Sequence, residues 1–296
     1  MREKRALRGT LLTLMGGTMW GFAGTCGQYL LQTKGLTSNF LVPIRLTLAG
    51  LILLIYCIAR SGRRAFDVMV HDTKGILIFA VFGMTLCQYT YFSAIAVSNA
   101  GTATVLQYTG PVIILAYMSL RKRTMPRKIE LIAIALALFG TFLLATHGKP
   151  GEMALSSEAL FWGLLSAVAQ AVYTIQPGRM LEKYGSPAVT AWGMLAGGVM
   201  LMAVFRPWTM GVHIDLLTAG AILMTVLVGS VFAFTAFMEG VRCVGPKKGS
   251  LYASIEPVSA AVFSCLLMGA RFELMDLAGF ACILSTIFLL AMDKKE

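Results

Sequence analysis

Ten stretches of about 20 mostly apolar residues succeed one another along this chain, and they constrain its fold more than any motif. Hydropathy puts them at about 9–32, 38–59, 75–96, 100–120, 128–147, 157–178, 187–206, 216–241, 248–269 and 273–292. A hydrocarbon layer about 30 Å thick takes about 20 residues of helix per crossing. Ten crossings therefore consume most of the 296 residues and leave no room for a second, soluble domain. With 57% apolar and 13% charged residues and a mean hydropathy of +0.75, the chain also has too little polar surface to coat a soluble globule. The expected fold class is all-α integral membrane, with ten transmembrane helices. The first stretch follows a basic N-terminus but runs to about Leu31 without a small-x-small cleavage site, so it reads as a retained span rather than a signal peptide.

The loops carry the orientation. Of the 25 lysines and arginines, twenty fall on the side of the N-terminus, in groups such as Arg60, Arg63, Arg64 and Lys74, or Arg121, Lys122, Arg123, Arg127 and Lys128. Four (Lys34, Lys149, Arg206 and Arg271) fall on the other side, and Arg45 alone lies inside a span. Anionic lipid and the membrane potential favour basic loops in the cytoplasm, so both termini are expected there, in a multi-pass protein of the plasma membrane, the inner membrane of the cell. Adding or removing one span would exchange the sides of every later loop and destroy the bias, so charge supports the count of ten. The net charge of +11 is thus a topology signal. It is not gathered with aromatics on one surface as a nucleic-acid partner would require.

The chain also reads twice. Leu106-Gln107-Tyr108-Thr109-Gly110-Pro111-Val112 lies over Tyr252-Ala253-Ser254-Ile255-Glu256-Pro257-Val258, Leu48-Ala49-Gly50 over Leu195-Ala196-Gly197, and Gly35 over Gly185. Each unit, residues 1–150 and 151–296, holds five spans. An odd number makes the second unit enter the membrane from the opposite side, so the halves are expected to be inverted five-helix repeats, a hallmark of secondary transporters.

At this point the residues resemble the drug/metabolite transporter superfamily, in its EamA-type branch of ten-helix carriers. The resemblance rests on Trp20-Gly21, on Arg45 followed by Leu48-Ala49, on Ser98-Asn99-Ala100-Gly101-Thr102-Ala103 leading to Pro111, and on Ser254-Ile255-Glu256-Pro257-Val258. It covers about residues 9–292. Two departures stand out: Met268-Gly269-Ala270 replaces the family's usual Leu-Gly-Glu turn, and Gln170 stands where a tryptophan is common. The resemblance implies a carrier, commonly an exporter of amino acids or other small metabolites, without naming the solute.

Charge at bilayer depth is costly, so ionisable groups there face a partner or a wet cavity. Arg45 either holds a substrate carboxylate or pairs with a protein carboxylate or carbonyl to lock its helix. Glu256, beside Pro257, whose ring and missing N–H free a carbonyl one turn back, suits a proton-coupling site; a structural, hydrogen-bonded glutamate is the alternative. Pro111 and Pro257 occupy equivalent positions and read as paired hinges or as rigid kinks. Trp20, Gln28, Gln88, Tyr91, Gln107, Tyr108, Gln170, Tyr173, Trp192 and Tyr252 complete the substrate-binding candidates, interfacial anchoring being the competing reading. Glu239 and Arg242 read as an interfacial pair.

The leading expectation is a secondary transporter working by alternating access, with export favoured and protons as the coupling ion. A facilitative uniporter or uptake carrier is the alternative, and an intramembrane enzyme a more distant one. No Gly-x-x-x-x-Gly-Lys-Ser/Thr sequence occurs to bind ATP. His71, His147 and His213 are dispersed in loops or at span ends, so the chain is read as no enzyme. The six cysteines and eighteen methionines are scattered as core residues, so neither a metal site nor a cofactor is expected. Partners reduce to a small-molecule solute and membrane lipid, with the chain a monomer or weak dimer.

Overall fold

The computed structural model describes residues 2–123, 125, 127–149, 153–244, 249 and 252–292, and within these the side chains of all but 2–5, 122, 242 and 290–292. The Glu239/Arg242 pairing, the basic side chains of Arg2, Lys4, Arg5, Lys122, Lys247, Lys248, Lys294 and Lys295, and the first residues of the ninth stretch lie outside the described residues.

The described residues are helical with no strand. In chain order the main helices are α1 (Arg2–Gln28, continued as a π-helical turn over Tyr29–Thr33), α2 (Ser38–Ser61), α3 (Thr73–Val97), α4 (Ala100–Arg121), α5 (Lys128–Thr146), α6 (Ser157–Ile175), α7 (Ser186–Phe205), α8 (Leu216–Val241), α9 (Ile255–Met268) and α10 (Leu274–Met292). Among the described residues seven, α2 to α8, are long and apolar enough to cross a bilayer, and α9 and α10 are shorter apolar helices. Their outward faces carry Ile55, Leu138, Phe139, Val204 and Leu266, each more than half exposed. Such a belt is untenable in water and natural against lipid.

Helix ends follow local chemistry. Asn99 caps α4 by accepting from the Thr102 N–H (2.8 Å), Ser156 caps α6 through Ala159 (3.1 Å), and Asp215 caps α8 through Thr218 (2.7 Å). Gly269 ends α9 in the left-handed region, φ +67°. Apart from α1, which already begins at Arg2 rather than at about residue 9, the expected boundaries hold within a few residues, with two corrections. The span at 100–120 is broken: its first part ends at Gln107 and a second helix starts at Gly110. The ninth stretch, expected from 248, is interrupted at Ser254, after helical Tyr252 and Ala253, and resumes as α9 at Ile255. Both breaks precede a proline, whose geometry suits the first turn of a helix, where its missing N–H costs nothing. Pro111 and Pro257 therefore open new helices and do not kink continuous ones.

Packing is paired. α2 lies on α7, α5 on α10, and α4 on α9; α1 packs on α8 and α9, and α6 packs on α3 and α4. The closest crossings are made by glycine. A Cβ at Gly198 would sit 2.5 Å from the Thr47 backbone nitrogen, and one at Gly140 2.8 Å from the Gly279 carbonyl. Small residues let helices approach where lipid gives no hydrophobic drive between them. The two Gly-x-x-x-Gly sequences serve the same end inside the bundle. Gly17 and Gly21 lie against Ala253, Ile255 and Ser259, and Gly193 and Gly197 against Phe79 and Ala80. Two further π-helical segments, Phe79–Thr85 in α3 and Leu227–Phe232 in α8, interrupt helices that border the central space.

Candidate functional site

Two adjoining cavities occupy the middle of the bundle. The larger, about 440 Å³, is walled by aromatic and apolar groups including Trp20, Phe79, Tyr108, Tyr173, Phe234 and Phe237. It reaches the α6–α7 connection at Pro177, Leu181 and Ser186. The smaller, about 130 Å³, holds Arg45, Cys87, Gln88 and Tyr91. Trp20, Gln107, Gln170, Tyr173, Phe234 and Glu256 border both, so they form one path of two chambers.

Arg45 lies two turns into α2 and is 6% exposed. Its guanidinium donates to Gln88 Oε1 and, at 3.4 Å, to the carbonyl of Thr225, the residue before the Val226 cap of the π-helical stretch of α8. It stacks over Phe92 at 4.9 Å. Among the described residues no carboxylate lies within 4.0 Å of it, so its charge is solvated by dipoles and a ring. The carbonyl alternative of the sequence reading is thus present, and the carboxylate one is not.

Glu256, the second residue of α9, accepts a hydrogen bond from the Tyr108 hydroxyl at 3.0 Å. Tyr108 also reaches the Ala253 carbonyl at 3.0 Å. Ala253 is four residues before Pro257, so this is the carbonyl that the proline leaves without its helical partner. The break in α4 carries Tyr108 to the break in α9, where its hydroxyl takes up the freed carbonyl. Glu256 looks across the chamber boundary toward Arg45 beyond ion-pair distance.

Of the sequence candidates, Trp20, Gln88, Tyr91, Gln107, Tyr108, Gln170, Tyr173, Arg45, Glu256 and Pro111 border one or both cavities. Gln170 accepts from the Cys87 thiol at 3.0 Å, and Tyr91 shares a hydrogen bond with Thr104 at 2.8 Å. Three candidates lie elsewhere. Trp192 turns away to donate to the Ala65 carbonyl at 2.8 Å, packing on Phe66, and Tyr252 borders neither chamber. Gln28 is 4% exposed and engaged outside both. Pro257 is buried under the site. Phe79, Met84, Cys87, Thr190, Phe234, Phe237 and Met238 also form the walls; apolar side chains in a chain that is 57% apolar give no sequence signal.

Comparison with known proteins agrees with this architecture. The model of the EamA-like transporter family matches twice, over residues 7–146 and 157–292. An uncharacterized inner membrane transporter of Salmonella typhimurium, YicL, is 38% identical over 98% of this chain and 97% of its own length. An uncharacterized transporter of Bacillus subtilis, YetK, is 25% identical over 83% of this chain and 75% of its own. One solved crystal structure, 16% identical, superposes with a TM-score of 0.65 over 98% of this chain and 97% of that one, which is a likeness of fold. The chain belongs to the EamA-like transporter family and is a multi-pass membrane transporter of a small-molecule solute.

Proposed function

We propose that this transporter is a secondary carrier that exports a small metabolite, an amino acid or related solute, by alternating access, in exchange for protons. The observation that carries this reading is Arg45, a guanidinium with no carboxylate partner among the described residues, facing a chamber that Glu256 also borders. A zwitterion fits that pair. Its carboxylate takes the donors that Arg45 now spends on a neutral amide and a carbonyl, its ammonium turns to Glu256, and its side chain lies among Trp20, Tyr173, Phe234 and Phe237. Glu256 serves ammonium or proton in turn, so one proton enters as one solute leaves.

The carrier is read as two inverted five-helix repeats, residues 1–150 and 151–296. The two separate family matches support this, as does the mirrored packing: α1 on α8 and α9 corresponds to α6 on α3 and α4, while α2/α7, α4/α9 and α5/α10 pair with their own counterparts. The loop charges favour both termini in the cytoplasm, and the relative named an inner membrane transporter supports that membrane. Pro111 and Pro257, each opening a helix beside the chambers, are the proposed hinges.

Radiolabelled amino-acid flux in proteoliposomes, with and without an imposed pH gradient, tests the proposal. Flux that accelerates with the gradient supports proton exchange. Flux indifferent to it leaves a uniporter, and no flux of any amino acid removes that solute class.

A further inference from the structure

Four helices agree on the order of features along the path. Along α1 come Trp20 in both chambers, Ala23 and Gly24 in the smaller one, then Gln28 and Gln32 toward the Gly35 turn. Along α3, Phe79 borders the larger chamber, Cys87 and Tyr91 the smaller, and Ile95 and Ser98 follow. α4 runs in the opposite sense, from Ala100 to Gln107 to Pro111, and α9 runs from Glu256 to Ser264.

At the end that all four helices share, beyond the smaller chamber, two glutamines knit them together. Gln28 Oε1 accepts from the Ala100 N–H at 3.0 Å and from the Ser264 hydroxyl at 2.8 Å. Its amide nitrogen donates to Gln32 Oε1 at 3.0 Å. Gln32 in turn donates to the carbonyls of Ile95 (2.9 Å) and Ser98 (2.7 Å) at the α3–α4 turn. The network spans α1, α3, α4 and α9 and uses no charge. At the other end the larger chamber extends to the α6–α7 connection.

We infer that Gln28 and Gln32 form the seal of the transport path on the face of the Gly35 turn, a latch of neutral amides that parts when the path opens to that face. Neutral hydrogen bonds suit the task. Each is worth little net, so several together hold one state without trapping it, and water or backbone groups can take up each amide once it is released. The contacts run from one helix of the first unit to the α3–α4 turn and to α9 of the second, so relative movement of these elements must break them. The inference rests on the alternating-access reading and gives Gln28 a role other than solute contact.

The test uses the full chain in membranes, with Cys87 retained as the only thiol and the other five cysteines replaced by serine. A membrane-impermeant maleimide is applied to each face in turn. The parent is expected to react from the α6–α7 face and to be protected from the Gly35 face. Gln32→Ala removes an amide whose side chain is at the surface, so it spares the core, and Gln28→Leu removes the buried one. Each should raise labelling from the Gly35 face by about tenfold. Unchanged protection in both variants, or equal labelling of the parent from both faces, overturns the seal. A rise in labelling by a protein that moves no solute in the flux assay would uphold the seal and sink the transport reading instead.

Discussion

The two ends of the central path are built from different materials. Toward the Gly35 turn, glutamine amides, a hydroxyl and backbone groups bond one another. Toward the α6–α7 connection, the path widens between aromatic rings, with Trp20 on Phe237 at 5.0 Å and Phe79 on Tyr173 at 5.5 Å. The contrast teaches that closure and recognition are divided. On the proposed reading, closure uses many weak, interchangeable bonds, whereas recognition uses the guanidinium of Arg45 and the carboxyl of Glu256 at the boundary. Regular helix is given up where the two meet, at the π-helical segments of α3 and α8 and at the breaks of α4 and α9.

Mutations can break this division, beginning at the boundary. Arg45→Ala removes the only cation that lines the chambers among the described residues and should lower flux about 100-fold, the worth of a charge-assisted hydrogen-bonded contact of about 3 kcal/mol. Protein yield and melting temperature should stay near those of the wild type, because no carboxylate is left unpaired. Glu256→Gln keeps the Tyr108 contact but cannot titrate. Solute exchange should survive while acceleration by a pH gradient disappears, so an unchanged gradient response would remove Glu256 from coupling. At the wide end, Tyr173→Ala should raise KM for bulky apolar solutes about threefold to tenfold and leave small ones nearly unaffected, as competition assays would show.

The smallest effect is expected beside the seal but off the path. There Lys34 meets Asp215 at 2.6 Å, tying the end of α1 to the start of α8, two helices already packed together. The Lys34 ammonium and the Thr218 N–H hold the Asp215 carboxyl well below its usual 3.8. Asp215 in turn raises Lys34 above its usual 10.5. The depressed acid contributes stability above its unfolded pKa and loses it only as pH falls through the lower folded value. The raised base contributes below its unfolded pKa and loses it only as pH rises through the higher folded one. The tie is therefore constant from pH 5 to 8. Lys34→Gln should change flux by less than about twofold and leave the pH dependence of the melting temperature in that window unaltered, as expected of a partly exposed pair.

The helices were legible in the sequence because a bilayer imposes length and apolarity on every crossing, and α5, α7 and α8 begin and end within two residues of the hydropathy boundaries. Arg45 and Glu256 were legible because charge in a span is rare enough to stand out. The breaks were hidden: hydropathy reads side chains, and whether a proline kinks one helix or opens another depends on who satisfies the freed carbonyl, here Tyr108 from a distant helix. The positions of Gln28 and Trp192 were hidden for a related reason. Their polarity showed at the right depth, but helix rotation turned one into the amide network and the other toward the Ala65 carbonyl. Phe234 and Phe237 were invisible, being ordinary residues of an apolar span.

Counterflow in proteoliposomes tests the central claim most directly. Vesicles loaded with an excess of unlabelled amino acid are diluted into a trace of the labelled form, with wild type and Arg45→Ala reconstituted at equal density. The account predicts transient accumulation of label above its equilibrium level by the wild type, for at least one amino acid, and its loss in Arg45→Ala. Label that merely equilibrates at a rate independent of the internal pool, or full counterflow by the folded Arg45→Ala protein, would contradict it.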